Sequence, residues 1–187
     1  MKILCEISVR HVHLSEGDLK ALFGADANLA VVRELSQPGQ YLSDKKVDLV
    51  GPKRVIEGVA VLGPLRKQSQ VEISRSDCFV LGAKDVPLRQ SGDVSGTPGI
   101  VLRAGEREVA LSEGLIVAKR HVHLDPKTAE LNGFSDGQIV KLKIGGERGG
   151  VLAETVVRVH ESFAPAVHLD SDEGNALGVS VEVEIIA

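Results

Sequence analysis

The chain has 187 residues, 43% of them hydrophobic but only 3% aromatic, with no Trp, one Tyr and a formal net charge of −4. That is long enough for one ordinary domain or two small ones, with a core built from Val, Leu, Ile and Ala. There is no basic run to track a nucleic-acid backbone and no apolar run near the ~20 residues that span a bilayer, so neither nucleic acid nor membrane is an expected partner.

The first element is a strand that ends in Arg10-His11-Val12-His13-Leu14. Ser15 is a natural N-cap for a short helix stopping near Gly24. Short strands follow at 47–50, 55–62 and 68–73, the last ending in Val71-Glu72-Ile73. Ser74 then caps a helix that stops at Gly82, and further strands are expected at 100–103, 107–111 and 114–118. Arg120-His121-Val122-His123-Leu124 repeats the first pentapeptide without a change. Asp125 caps the next helix, Pro126 takes its first position, and Asn132-Gly133 ends it. Strands at 139–144, 151–159, 165–169 and 180–186 complete the chain. A hairpin turn is expected over 145–150, where glycines permit positive φ. A last helix starts at Asp170 or Ser171 and stops at Gly178.

The repeat extends beyond the pentapeptide. Val71 to Asp77 aligns with Val167 to Glu173, which sets Glu72 opposite His168. Residues i and i+2 of a strand share a face. His11 and His13 therefore project together, as do His121 and His123, while Val12 and Val122 point into a core. At strand ends the imidazoles are expected to open into a cleft. Imidazole nitrogen and carboxylate oxygen suit zinc, whose catalytic sites use three protein ligands and an open position. Two sets result: His11, His13 and Glu72; and His121, His123 and His168. Five of the six histidines are thereby used, and His160 reads as a surface residue. Iron, manganese, cobalt or nickel would accept the same donors.

Other residues have weaker signals. Taken alone, Arg66 reads as a surface charge, although its fork suits an oxyanion. Arg10 and Arg120 face away from the histidines and are expected to form structural pairs. Ser91 lies in a Gly-rich turn. The two cysteines make no motif, and Cys78, among Phe79, Val80 and Leu81, is expected to be buried and inert. Reduced thiols agree with a cytoplasmic location.

Several of these segments carry a resemblance. Ser8 to Ser15, Leu35-Ser36-Gln37-Pro38-Gly39-Gln40, Gly63 to Ser74, Ser91-Gly92-Asp93, Gly96-Thr97-Pro98-Gly99-Ile100, the second pentapeptide and Gly145 to Gly149 are similar, in order, to the PduL-type phosphotransacylases. The resemblance implies a mainly β fold of two small β-barrels capped by short helices. It implies domains at 10–118 and 119–187, the second completed by residues 1–9. It also implies a two-zinc site between the barrels, held by the same two ligand sets, and a homodimer. Arg66 would bind phosphate with Ser91 close by, and Phe79 with Gly96, Thr97 and Gly99 would help hold coenzyme A. The implied reaction interconverts a short-chain acyl-CoA and phosphate with acyl phosphate and CoA. Family members that enter bacterial microcompartments have an amphipathic extension; only seven residues precede Ser8 here, so a free cytoplasmic enzyme is expected. A cupin-like metalloenzyme and a non-catalytic metal-binding scaffold are the alternatives. Cupins place Glu soon after the His pair, a spacing that Glu16 fits poorly.

Overall fold

The structure is a computed structural model that describes residues 1–179 and 181–186; residue 180, the first of the expected 180–186 strand, lies outside the described residues. The strands are β1 Lys2–Ser8, β2 His11–His13, β3 Val31–Glu34, β4 Tyr41–Val50, β5 Val55–Gly63, β6 Gln70–Ile73, β7 Leu88–Arg89, β8 Val101–Ala104, β9 Arg107–Ala110, β10 Leu115–Ala118, β11 His121–Leu124, β12 Ile139–Ile144, β13 Gly150–Val159, β14 Ala166–Asp170 and β15 Glu182–Ile186. The helices are α1 Glu16–Phe23, α2 Arg75–Leu81, α3 Pro126–Asn132 and α4 Ser171–Leu177.

Two compact units form. The inserted unit is Arg10–Ala118; the terminal unit is Met1–Val9 with Lys119–Ala187. Each has its own apolar core. Val12, Leu14, Leu49, Val61, Val71, Leu102 and Leu115 fill the first, and Val122, Leu124, Leu142, Val157, Val167 and Leu169 the second. The alternation that builds such strands is plain in β12, where Val140, Leu142 and Ile144 are buried and the residues between them exposed.

Sheet order carries the repeat into three dimensions. The terminal unit is a closed barrel in the order β1-β14-β11-β13-β12-β15. The inserted unit runs β10-β6-β2-β5-β4-β8 through equivalent strands. It does not close, which corrects the expectation of two barrels. The reason is edge competition. In the terminal unit β15 pairs with β1, Ile3 opposite Val183. In the inserted unit β8 instead pairs with β9 in a hairpin, Leu102 opposite Val109, and β10 takes β7, Val117 opposite Leu88. With β3 on β4, the result is a nine-stranded open sheet. β4 also starts earlier than the 47–50 segment suggests, at Tyr41.

The strands leading into the two pentapeptides are exchanged. β1 runs directly toward β2 in sequence, yet pairs with β14, Cys5 opposite Val167. β10 runs toward β11, yet pairs with β6, Leu115 opposite Val71. Residues 5–14 and 115–124 are therefore equivalent, and each leading strand completes the unit that its own pentapeptide does not belong to.

The helices start as their caps dictate. Ser74 and Asp77 make a capping box on α2, and Asp170 and Glu173 make one on α4. The same third-position acids hold the arginines that precede the histidines. Arg10 Nη2 lies 2.7 Å from Asp77 Oδ1. Arg120 pairs with Glu173 in the same way and also donates to the Ala153 carbonyl at 2.8 Å. Both arginines are thus structural partners, as expected.

Exchange of β1 makes a clear prediction. Ile3→Ala, at a residue 5% exposed in the terminal core, should cost about 2–5 kcal/mol. Hydrogen exchange should quicken in β14 and β15, the partners of β1, and not in β2, β5 or β6. Protection lost in the inserted unit instead would show that β1 belongs elsewhere.

Candidate metal centres

In the inserted unit the short strand β2 lies between β5 and β6. Its antiparallel register with β6 sets His11 opposite Glu72 and His13 opposite Gln70. Val12 is fully buried on the opposite face. His11 Nε2 is 3.5 Å from Glu72 Oε1, and the two residues are each 7% exposed. His11, His13 and Glu72 offer one donor atom each, all within 4.8 Å of one another. The terminal unit repeats the plan: β11 pairs with β14 so that His121 faces His168. His121, His123 and His168 satisfy the same 4.8 Å condition.

The imidazoles are more covered than a strand-end cleft implies. His11, His13, His121 and His123 are 7%, 2%, 9% and 6% exposed, and His168 is the most open at its side chain, 17%.

Electrostatics favour the neutral imidazole at His13 and His123 and the ionised carboxylate at Glu72. Burial, then His11 and Arg66, push His13 down to about 3. Burial, then His121 and His168, push His123 down to about 2. For Glu72, burial opposes the charge, but His11, His13 and a hydrogen bond from Ser91 outweigh it and hold the carboxyl well below its usual range. Neutral imidazole and carboxylate are the forms that bind a divalent cation. His121 donates from Nδ1 to the Lys119 carbonyl at 2.9 Å, which leaves its lone pair on Nε2. Among the described residues both ring nitrogens of His123, which are buried, find no hydrogen-bond partner, an arrangement that costs free energy unless a ligand takes one of them. The donor chemistry and these orphaned nitrogens fit a metal at each set.

Arg66, Ser91 and Glu72 come together. Arg66 follows a loop whose backbone returns to β2: its N–H donates to the Leu14 carbonyl at 2.9 Å. The guanidinium then reaches His13 Nε2 at 2.8 Å and donates to Ser91 Oγ at 3.1 Å. The surface position that Arg66 suggests on sequence alone is therefore corrected. Ser91 donates to Glu72 Oε1 at 2.7 Å. Gln70, absent from the candidate residues, is the fourth member. Its amide nitrogen donates to Glu72 Oε1 at 2.5 Å and to Ser91 Oγ at 3.0 Å, and its oxygen accepts from the Gly92 N–H at 2.7 Å. The signal for it was available: Gln70 is two residues from Glu72 on one strand, hence on the same face.

The remaining candidates make contacts of other kinds. Phe79 lies on α2 with 81% of its surface exposed. Thr97 is buried, donating to the Val94 carbonyl and accepting from the Gly114 N–H. Gly96 has φ +67°, and its N–H donates to Glu113 at 2.9 Å. At Gly99 a Cβ would stand 1.8 Å from the Leu111 carbonyl oxygen. Those contacts give Gly96, Thr97 and Gly99 local structural tasks. His160 is exposed, as expected. Cys78 is buried in α2, where Sγ donates to the Ser74 carbonyl.

Comparison with known proteins gives one consistent answer. The family model described as phosphate propanoyltransferase matches residues 4–180. The phosphate propanoyltransferase of Listeria monocytogenes is 50% identical over 173 residues, covering 92% of this chain and 81% of that protein. The protein of the same name from Thermotoga maritima is 49% identical over 175 residues, covering 93% and 83%. That of Alkaliphilus metalliredigens is 47% identical over 176 residues, covering 94% and 82%.

Two outcomes are expected here. Burial first, then Glu6 and Glu173, raise Cys5 to about 11, and burial raises Cys78. A raised thiol stays protonated until the pH approaches that value, so at pH 8 iodoacetamide should label neither cysteine in the native protein and both after unfolding. Rapid native labelling, read by mass, would contradict this. Gly99→Ala should lower the melting temperature, because backbone must move to admit the methyl. An unchanged melting curve would leave its packing role unsupported.

Proposed function

The chain belongs to the phosphate propanoyltransferase family, and from that premise we propose that it transfers a short acyl group between coenzyme A and inorganic phosphate at two zinc-binding sets. In the forward sense a phosphate oxygen forms a bond to the thioester carbon, the C–S bond breaks, and the thiolate leaves and takes a proton. The products are acyl phosphate and CoA, and the reaction runs in either direction.

One observation carries the reading: the Arg66 guanidinium sits against His13 and Ser91 beside an ionised, buried Glu72. His11, His13 and Glu72 would hold one zinc, and His121, His123 and His168 the other. Zinc so held supplies positive charge for phosphate oxygens and affinity for a thiolate. Arg66 supplies a planar fork that grips two oxyanion oxygens at once and offsets the charge that grows as the carbonyl becomes tetrahedral. Ser91, already bonded to Arg66 and Glu72, fixes the fork from one side. The histidines act as ligands, not general bases; a metal on His13 would replace the hydrogen bond that its Nε2 accepts from Arg66 here and free that guanidinium for phosphate. Cys78 is buried and its thiol pKa raised, which supports direct attack by phosphate over an acyl-enzyme. The exposed ring of Phe79 offers a face for the adenine of CoA. Among the described residues no helix is long and apolar enough to cross a membrane.

The reading is tested by assaying acetyl-CoA and propanoyl-CoA with phosphate alongside zinc content. His121→Ala should lose transferase activity together with one equivalent of metal; a fully active variant depleted of that metal would refute the zinc reading. Arg66→Ala should lower kcat/KM for phosphate by about 10²-fold or more while leaving the KM for acyl-CoA close to normal. Equal loss toward both substrates would remove Arg66 from phosphate binding.

A further inference from the structure

The second histidine of each pair is held differently. In the inserted unit, the loop after β5 is anchored by the Arg66 N–H on the Leu14 carbonyl, and the same Arg66 donates to His13 Nε2. In the terminal unit, the loop after β13 is anchored in the same way: the His160 N–H donates to the Leu124 carbonyl at 3.1 Å. Leu14 and Leu124 are equivalent in the repeat. His160 also organises its loop. Its Nδ1 accepts from the Ser162 N–H at 3.2 Å, and its carbonyl accepts from the Phe163 N–H at 3.0 Å. What this loop delivers is not a hydrogen-bond donor but a ring. Phe163 stacks on His123 with centroids 3.9 Å apart and planes 21° apart. Arg158, paired in register with His123, places its guanidinium over the Phe163 ring at 5.6 Å.

A ligating histidine is ordinarily oriented by a hydrogen bond from its second nitrogen. His121 has that bond, to the Lys119 carbonyl. His123 has none at either nitrogen among the described residues. We infer that Phe163 is the positioning residue of His123: its ring face, presented by the His160-anchored loop, fixes the imidazole plane and so aims the donor nitrogen at the His121–His168 pair. Face-to-face ring contact restrains tilt, and a residue without a flat face cannot supply that restraint. His160 acquires a function by the same argument, as the anchor of that loop.

The inference rests on the reading that His121, His123 and His168 hold a metal. It is tested on the zinc-loaded full chain by stopped-flow release to a chromogenic chelator. Wild type should release its metal in two phases, and His121→Ala should lack one of them, which identifies the terminal-unit phase. Phe163→Leu should accelerate that phase alone by about 10–100-fold. Phe163→Tyr, which keeps the ring face, should restore the wild-type rate. Phe163→Leu releasing both metals at wild-type rates would overturn the inference while leaving the two-centre reading intact. So would Tyr behaving like Leu, or both phases accelerating together, the mark of general loosening. Wild-type protein that binds no metal would remove both the reading and the inference.

Discussion

Everything at these centres depends on the pairing of two short antiparallel strands. Directly opposed residues on such a pair bring their side chains within about 5 Å, a reach at which two donors could share one ion. His11 opposite Glu72 and His121 opposite His168 are two uses of that spacing. The next histidine, two residues on, lies on the same face and completes the set. A one-residue slip would send the imidazoles to the core side and Val12 or Val122 out to the donor side. Val12, Leu14, Val122 and Leu124, all fully buried, oppose that slip. Hydrophobic packing on one face thus holds the chemistry on the other.

Register also explains how much could be read from the sequence. His-Val-His on a strand, repeated, fixes which residues share a face. Glu72 aligns with His168 because the segments Val71 to Asp77 and Val167 to Glu173 match, and the helix starts after them prove to be capping boxes. Helix starts and stops were legible for the same reason, since caps are local. The sheet ends were not. Whether β8 returns to β10 or folds back on β9 is a competition between edges, and both outcomes use the same alternating residues. β3 and β7 are exposed along their whole length, so no buried face marks them. Exchange of β1 and β10 is invisible to local pattern, because each reads as an ordinary strand leading into its own pentapeptide.

The polar surroundings were legible only where they share a strand. Gln70 is two residues from Glu72 and could have been placed by period alone. Ser91 comes from a loop 19 residues beyond Glu72, and its contact depends on how the 89–93 turn closes. Arg66 is similar: its chemistry was plain, but its position comes from a backbone bond to Leu14 that no side-chain pattern encodes. Nothing in the local sequence marks Phe163 out from other apolar residues between strands. Only the ring plane of His123 shows what it is against.

The two centres differ in donors yet keep a common charge pattern. In the inserted unit the carboxylate is the third donor, Glu72, and the guanidinium is Arg66. In the terminal unit the third donor is His168, but β1 sets Glu6 beside it in register, with Glu6 Oε2 3.6 Å from His168 Nε2. There the guanidinium is Arg158, close enough to lower His123. The residue equivalent to Glu6 in the inserted unit is Ile116, fully buried, opposite Glu72. The carboxylate has therefore changed strand without leaving its centre. Each unit thus sets one acid and one arginine against its histidines. The exchanged strand supplies the acid in the terminal unit. Its placement thus serves the electrostatics of the centre as well as the closure of the barrel.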